Sequence, residues 1–286
     1  MAMRKIIAIG GSAGSIQAIR KICSLLRADL HASVLIAVHV RAGNQNLLAS
    51  ILDNGGPLPA STAVDGEPLK DARIYVAPVD HHLVVDGRFV RLGRGPRENM
   101  ARPAIDPLFR SAGISAGPRA IGVLLSGMLN DGASGLADLK RCGGMTVVQS
   151  PLDAAESEMP RTALLASDID YRAPAIDLAA LLTRLVQEEP GPALTPPASV
   201  ALEVAIAMGR NSDTPTIAEI TDPVPLNCPG CGGRCRRLGV HRYASAVRWG
   251  TATPPRPWST SRRAPLTRQC AWRFGSLASG PLSWRR

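Results

Sequence analysis

Residues Lys5-Ile6-Ile7-Ala8-Ile9-Gly10-Gly11-Ser12-Ala13-Gly14-Ser15 run from a continuous apolar stretch into a Gly-Gly-Ser turn, and Ile16, Ile19 and Ile22 follow at helical spacing. This is the pattern of a buried strand, a sharp turn and a helix. A serine at such a turn sits at the carboxyl edge of a sheet beside a helix N-terminus. Backbone N–H groups there are free to meet a developing negative charge. A Gly-rich turn of this kind also serves to cradle phosphate or simply to reverse the chain. No Gly-Lys-Ser/Thr follows, so it is not a P-loop, and the glycines lack the G-x-G-x-x-G spacing of a dinucleotide turn. The deciding feature is whether a histidine and a carboxylate arrive at the ends of other strands.

Outward from that turn the chain alternates strand and helix. Residues 16–27 read as a helix, and Ser33-Val34-Leu35-Ile36-Ala37-Val38-His39 is a second apolar run of the kind covered on both faces. Residues 40–52 read as a loop that becomes a short helix. Ile74–Pro78 is a short strand, and His82–Leu92 divides at Asp86-Gly87 into two β-prone runs, a hairpin signal. His81 and His82 read as a solvated pair entering that hairpin. The polar stretch 93–103 reads as an exposed loop, whose Arg94, Arg97 and Arg102 form either a solvated face or a positive rim for an acidic partner. Asp106-Pro107 predicts an N-cap followed by proline at the first helical position, with a helix over 107–116. Ala120–Gly127 and 145–149 are further strands; 134–141, 160–166 and 178–188 read as helices, the last capped by Asp177. The predicted fold is α/β: a doubly wound, mainly parallel sheet with a β-hairpin insertion, in a domain spanning 1–188.

Sites in open α/β sheets lie outside the carboxyl ends of the strands. Ser12 follows the first strand, His39 ends the second, and Asp131 follows the strand of residues 120–127. A serine needs a neighbouring base to become a nucleophile, and the base needs a carboxylate to fix its tautomer. Taken singly, His39 is a hydrogen-bonded core histidine and Asn130-Asp131-Gly132 is a turn. Three such residues at three strand ends favour a catalytic constellation.

At these residues the chain resembles the catalytic domain of the CheB-type chemotaxis methylesterases. The resemblance is carried by Ile9-Gly10-Gly11-Ser12-Ala13-Gly14, by Val38-His39, and by Leu125-Ser126-Gly127-Met128-Leu129-Asn130-Asp131-Gly132-Ala133. Supporting blocks are Ile74–Pro78 with His81-His82, Arg102–Phe109, and Val148-Gln149 with Met159-Pro160. The resemblance implies a serine esterase that removes methyl esters from glutamate side chains of methyl-accepting chemoreceptors, and that also deamidates glutamine. It implies Ser12 as nucleophile, His39 as general base, Asp131 as the carboxylate that orients it, and the Met128 N–H as an oxyanion donor. The Ala13 N–H, next to the nucleophile, is a reasonable second donor. Two positions depart from the family pattern: Ala13 stands where threonine is common, and Ser15 where a second glycine is usual. Reduced or retuned activity is expected, the alternative being a weakly active docking or signalling module. No receiver domain is expected before the first strand, so such control is expected either from a separate partner or to be lost.

The chain has 286 residues, 45% hydrophobic but only 3% aromatic, so its core is aliphatic. Its formal charge of +10 suggests nucleic acid, yet 12 of the 33 basic residues follow Asp222, where no acid occurs. Residues 1–222 therefore balance 21 basic against 23 acidic side chains, and nucleic acid is not the expected partner of the body. There is no apolar run long enough to insert in a membrane and no signal peptide pattern, so a cytoplasmic protein is expected. Cys23 and Cys142 read as small buried apolar residues. Residues 189–226 read as a Pro-rich linker. Residues 227–286 read as a partial zinc-ribbon-like segment and a basic, disordered or aberrant tail. Cys228 and Cys231 form half a zinc knuckle without a clean second pair, so no cofactor is expected unless these thiolates hold zinc. The Arg/Pro/Ser/Trp-rich text after Gly233 fits a GC-rich gene read out of frame better than a nucleic-acid-binding arm.

Overall fold

The computed structural model describes residues 5–39 and 47–210, together with three strands within 221–244. The chain divides into two compact units, Met1–Asn211 and Ser212–Arg286.

The first unit is built on a seven-stranded sheet. In chain order its strands are β1 (Lys5–Gly11), β2 (Ala32–Val38), β3 (Ala60–Thr62), β4 (Arg73–Val76), β7 (Ala120–Leu124), β8 (Met145–Gln149) and β9 (Tyr171–Ala173). β5 (His82–Asp86) and β6 (Phe89–Gly93) pair separately as an antiparallel hairpin. The sheet order is β3-β4-β2-β1-β7-β8-β9, and every pairing in it is parallel. β1 lies at the centre, between β2 and β7, where the strand order reverses. A doubly wound sheet opens its ligand crevice at that point.

Among the described residues this unit has seven α-helices: α1 (Ser15–Leu25), α2 (Leu48–Gly55), α3 (Ile105–Ala116), α4 (Ala133–Arg141), α5 (Glu158–Ala166), α6 (Ala175–Gln187) and α7 (Ala198–Ala207). Strand side chains alternate between two apolar layers. Ile7, Ile9, Val34 and Ile36 pack with Ile19, Ile22, Leu52 and Leu182 of α1, α2 and α6. Ile6, Ala8, Leu35 and Tyr75 pack on the other face with Phe109, Leu136 and Met159 of α3, α4 and α5. Burial on both faces is why these strands read as unbroken apolar runs rather than as an alternation. Cys23 and Cys142 are buried thiols, and burial pushes the Cys23 thiol up to about 12.

Four local readings are corrected. α3 begins at Ile105 with Ala104 as its cap, so Asp106 lies in the first turn rather than capping it. α6 likewise begins at Ala175 after Pro174, with Asp177 in its first turn. The three-residue strands β3 and β9 carry too little sequence to show a period. Within 189–226, the stretch Ala198–Ala207 is helical: it is rich in Ala, Val and Ile and follows a proline pair. α7 packs on α3, where Glu203 pairs with the buried Arg110 at 2.9 Å, and the Ala207 carbonyl accepts from Gly95 N–H at 2.9 Å. A Cβ on Gly95 would lie 2.2 Å from the Ile206 carbonyl oxygen, so this approach requires glycine.

In the second unit, β10 (Thr221–Asn227), β11 (Arg234–Leu238) and β12 (Arg242–Ala244) form an antiparallel sheet in that order. Cys228, Cys231 and Cys270 lie outside the described residues, and Cys235 falls within β11. Among the described residues no cluster of metal-ligating side chains occurs, and no helix is long and apolar enough to cross a membrane.

Candidate active site

The register of the parallel sheet brings two of the three strand-end residues together. Gly11 of β1 pairs with Val38 of β2, so Ser12 and His39 are the next residues past two neighbouring strand ends. Adjacent strands lie about 4.8 Å apart, which places the two side chains side by side. The Ser12 hydroxyl donates to His39 Nδ1 at 3.1 Å. On the opposite flank of β1, Ser12 N–H donates to the Ser126 carbonyl at 2.9 Å, which extends the ladder to β7 beyond its last paired residue.

Asp131 arrives on the loop between β7 and α4. Its Oδ2 accepts from His39 Nε2 at 2.6 Å, so Nε2 carries the proton and Nδ1 is free to accept from serine. The carboxylate is 1% exposed and fully engaged. Oδ2 also accepts from Ile105 N–H at 2.8 Å, and Oδ1 from Asn99 Nδ2 at 2.8 Å, Gly132 N–H at 2.9 Å and Asp106 N–H at 3.2 Å. Burial opposes its ionisation. The hydrogen bond and charge of His39, the Ile105 N–H and the Asn99 amide outweigh that and hold the carboxyl below its ordinary value.

Asp106 mirrors this arrangement. Its Oδ1 accepts from Gly132 N–H at 3.0 Å and Gly135 N–H at 2.6 Å, and its Oδ2 from Asn99 Nδ2 at 3.0 Å. Asp131 thus occupies the N-terminus of α3 while Asp106 occupies the N-terminus of α4, each meeting free N–H groups and the positive end of a helix. Burial, and then the neighbouring Asp131 charge, push Asp106 up to about 6. Behind it Arg110 is buried among Asp106, Glu98, Asp138 and Glu203.

The turn around Ser12 is locked from below. Gly14 caps α1 with φ +74, a left-handed conformation that glycine accepts without strain. Ser15 is fully buried and turns its hydroxyl to the Ser12 carbonyl at 2.7 Å. It adds no side chain to the exposed side of the turn, which Ala13 occupies. The Ser126 hydroxyl donates to the Ala13 carbonyl at 2.8 Å and accepts from Glu156 N–H at 2.8 Å. Gly127 N–H donates to the Glu156 carbonyl at 3.0 Å, and Leu129 N–H to Glu158 Oε2 at 2.9 Å. Between these two anchors, Met128 N–H has no hydrogen-bond partner among the described residues, and neither has Ala13 N–H. The two groups expected as oxyanion donors are therefore unpaired among the described residues, one beside Ser12 and one on the loop that packs against it. Gly127 lies against Ser12: a Cβ there would lie 3.0 Å from Ser12 Cβ.

His82 is not solvated. It is fully buried, accepts at Nδ1 from Ala104 N–H at 3.3 Å, and donates from Nε2 to the Pro96 carbonyl at 2.9 Å. Burial lowers its pKa, so it is a neutral strut under the loop 96–104. His81 accepts from Arg94 Nε at 3.1 Å, and Arg94, Arg97 and Arg102 all gather on Asp80. Asn99, Asp106, Ser126 and Glu158 were missed as parts of the site. Only Asp106 and Ser126 lay in stretches that carried the family resemblance; Asn99 and Glu158 gave no local signal.

Residues 7–182 match the family model described as CheB methylesterase. The chain is 36% identical over 182 residues to a protein of Leptospira interrogans serogroup Icterohaemorrhagiae named putative protein-glutamate methylesterase/protein-glutamine glutaminase, covering 63% of this chain and 94% of that protein. It is 39% identical over 168 residues to protein-glutamate methylesterase/protein-glutamine glutaminase 3 of Anaeromyxobacter dehalogenans, covering 58% of this chain but 49% of that protein. Relatives in Hahella chejuensis and Chromohalobacter salexigens are likewise spanned over about half their length, 53% and 48%. The crystal structure of the Thermotoga maritima CheB methylesterase catalytic domain superposes with a TM-score of 0.62 at 29% identity, covering 64% of this chain and all of that one.

Proposed function

The chain belongs to the CheB methylesterase family, and from that premise we propose that it hydrolyses glutamate methyl esters on methyl-accepting chemoreceptors through Ser12, His39 and Asp131. One observation carries the reading: the unbroken hydrogen-bonded line from Ser12 Oγ through His39 Nδ1 and Nε2 to Asp131. Ser12 Oγ bonds to the ester carbonyl carbon as its proton passes to His39 Nδ1. The imidazolium so formed is stabilised by Asp131 at Nε2. The negative charge on the carbonyl oxygen is met by the Ala13 and Met128 N–H groups, which point at no other acceptor among the described residues. The bond to methoxide breaks, and His39 returns the proton so that methanol leaves. Water then cleaves the acyl-enzyme by the same steps in reverse and leaves a free glutamate. With a glutamine side chain the leaving group is ammonia, which gives the deamidation that the relatives' names describe.

Methanol release from a methylated receptor fragment tests this. The full chain should release methanol, with losses of about a thousandfold or more for Ser12→Ala and His39→Ala. Equal rates from all three proteins would refute the assignment.

A further inference from the structure

We infer that Asn99 is a positioning residue of this site, acting through Asp131 by holding the buried pair of carboxylates apart and joined. The inference rests on the esterase reading for its kinetic arm. Asn99 spends both hydrogens of one amide nitrogen, donating to Asp131 Oδ1 at 2.8 Å and to Asp106 Oδ2 at 3.0 Å. Both acceptors are buried. No other side chain described here bridges them. The backbone is bent to deliver the amide. Asn99 has φ +49 and the following Met100 φ +62, two successive residues in the left-handed region. Asparagine tolerates that region better than most residues; methionine does not, and such strain persists where the surroundings hold it.

The chemistry asks for this residue type. An alanine would leave Asp131 Oδ1 one donor short and leave the Gly132 N–H alone between the two carboxylates. An aspartate would add a third carboxylate where a donor is needed. A glycine adopts the left-handed backbone freely, so it removes the amide without adding strain. Asn99 therefore keeps Asp131 ionised and aimed at His39 Nε2, acting through that carboxylate.

Asn99→Gly in the full chain should lower kcat by about 10- to 100-fold, the cost of one charge-assisted hydrogen bond, with KM within about twofold of the parent. The same change made in Asp131→Asn should cost less than about twofold more, because the group it acts through is already lost. A second readout does not depend on turnover: the downfield N–H proton resonance of His39 Nε2 should shift or broaden in Asn99→Gly. Asn99→Ser, whose hydroxyl has a single hydrogen and cannot donate to both carboxylates, should show the same pattern and serves if the glycine variant unfolds. Parent-like kcat, an undiminished loss in the Asp131→Asn background, or an unmoved resonance would each overturn the inference. If wild type and Ser12→Ala released methanol equally, the esterase reading would fall, while the resonance would still decide the role of Asn99.

Discussion

Replacing Asp131 by asparagine changes one atom's chemistry at the most heavily hydrogen-bonded point of the site. The native carboxylate accepts five hydrogen bonds, two at Oδ2 from His39 and Ile105 and three at Oδ1 from Asn99, Asp106 and Gly132. An amide offers one acceptor oxygen and one donor nitrogen. With nitrogen in the Oδ1 position, it faces three donors. With nitrogen in the Oδ2 position, it confronts the Ile105 N–H and forces His39 to accept at Nε2. The ring proton then moves to Nδ1, and the Ser12 hydroxyl loses the base it donates to at 3.1 Å. Each buried donor left unmet costs about 1–3 kcal/mol. Removing one of two neighbouring charges gives part of that back, because the Asp131 charge is one reason Asp106 is pushed up to about 6. The expected result is a stability loss of about 1–4 kcal/mol by urea denaturation, together with a kcat loss of about 10⁴-fold from the wrong tautomer. Methanol-release kinetics and melts on the same preparation separate the two. A variant that melts like the parent and keeps more than about a tenth of its kcat would show that Asp131 holds neither the tautomer nor the network.

Two further outcomes follow from the same neighbourhood. Asp106 is raised from its ordinary 3.8 to about 6, so its contribution to stability is present below 3.8 and lost as pH rises through about 6. Asp131 is depressed, so its contribution is present above 3.8 and lost only as pH falls below that value. Between about pH 4 and 6, Asp106→Asn should therefore flatten a downward component of the urea-midpoint profile; parallel profiles for variant and parent would refute this. Gly127→Ala places a Cβ 1.9 Å from Met159 Sδ and 3.0 Å from Ser12 Cβ, and should cost about 1–3 kcal/mol along with activity. Truncation in Met159→Ala should recover part of that stability loss, and a double-mutant cycle showing no coupling would refute the packing account.

The hydrogen-bonded line from Ser12 through His39 to Asp131 was legible because its three positions follow from backbone rules. Buried apolar runs mark parallel strands, residues past their carboxyl ends line the crevice, and the register of β1 with β2 then fixes Ser12 beside His39. The support was not legible because it consists of polar groups bonded across large sequence separations. Asp106 beside Pro107 reads as a local cap, yet its oxygens serve N–H groups 26 and 29 residues away. His82 reads as a polar residue at a hairpin mouth, and only the folded chain shows the two backbone groups that allow its burial. α7 carries apolar residues on all sides, so no periodic face distinguishes it from an Ala-rich linker, and its one buried acid finds Arg110 only in three dimensions.

Two buried carboxylates side by side would ordinarily force one to stay protonated. Here each sits on the other's helix: Asp131 on the first N–H groups of α3, and Asp106, itself part of α3, on those of α4. The exchange makes the charge on Asp131 depend on how α3 and α4 pack. Gly135 shows how close that packing is, since a Cβ there would lie 2.7 Å from the Asp106 carbonyl. A side chain at that position would separate the helix ends and take N–H donors from Asp106. The Asn99 bridge would then have to stretch, and Asp131 would lose aim on His39 although neither Ser12, His39 nor Asp131 had changed. The hydrogen-bonded line from Ser12 to Asp131 is thus set by a helix contact behind it as much as by the turn that presents Ser12.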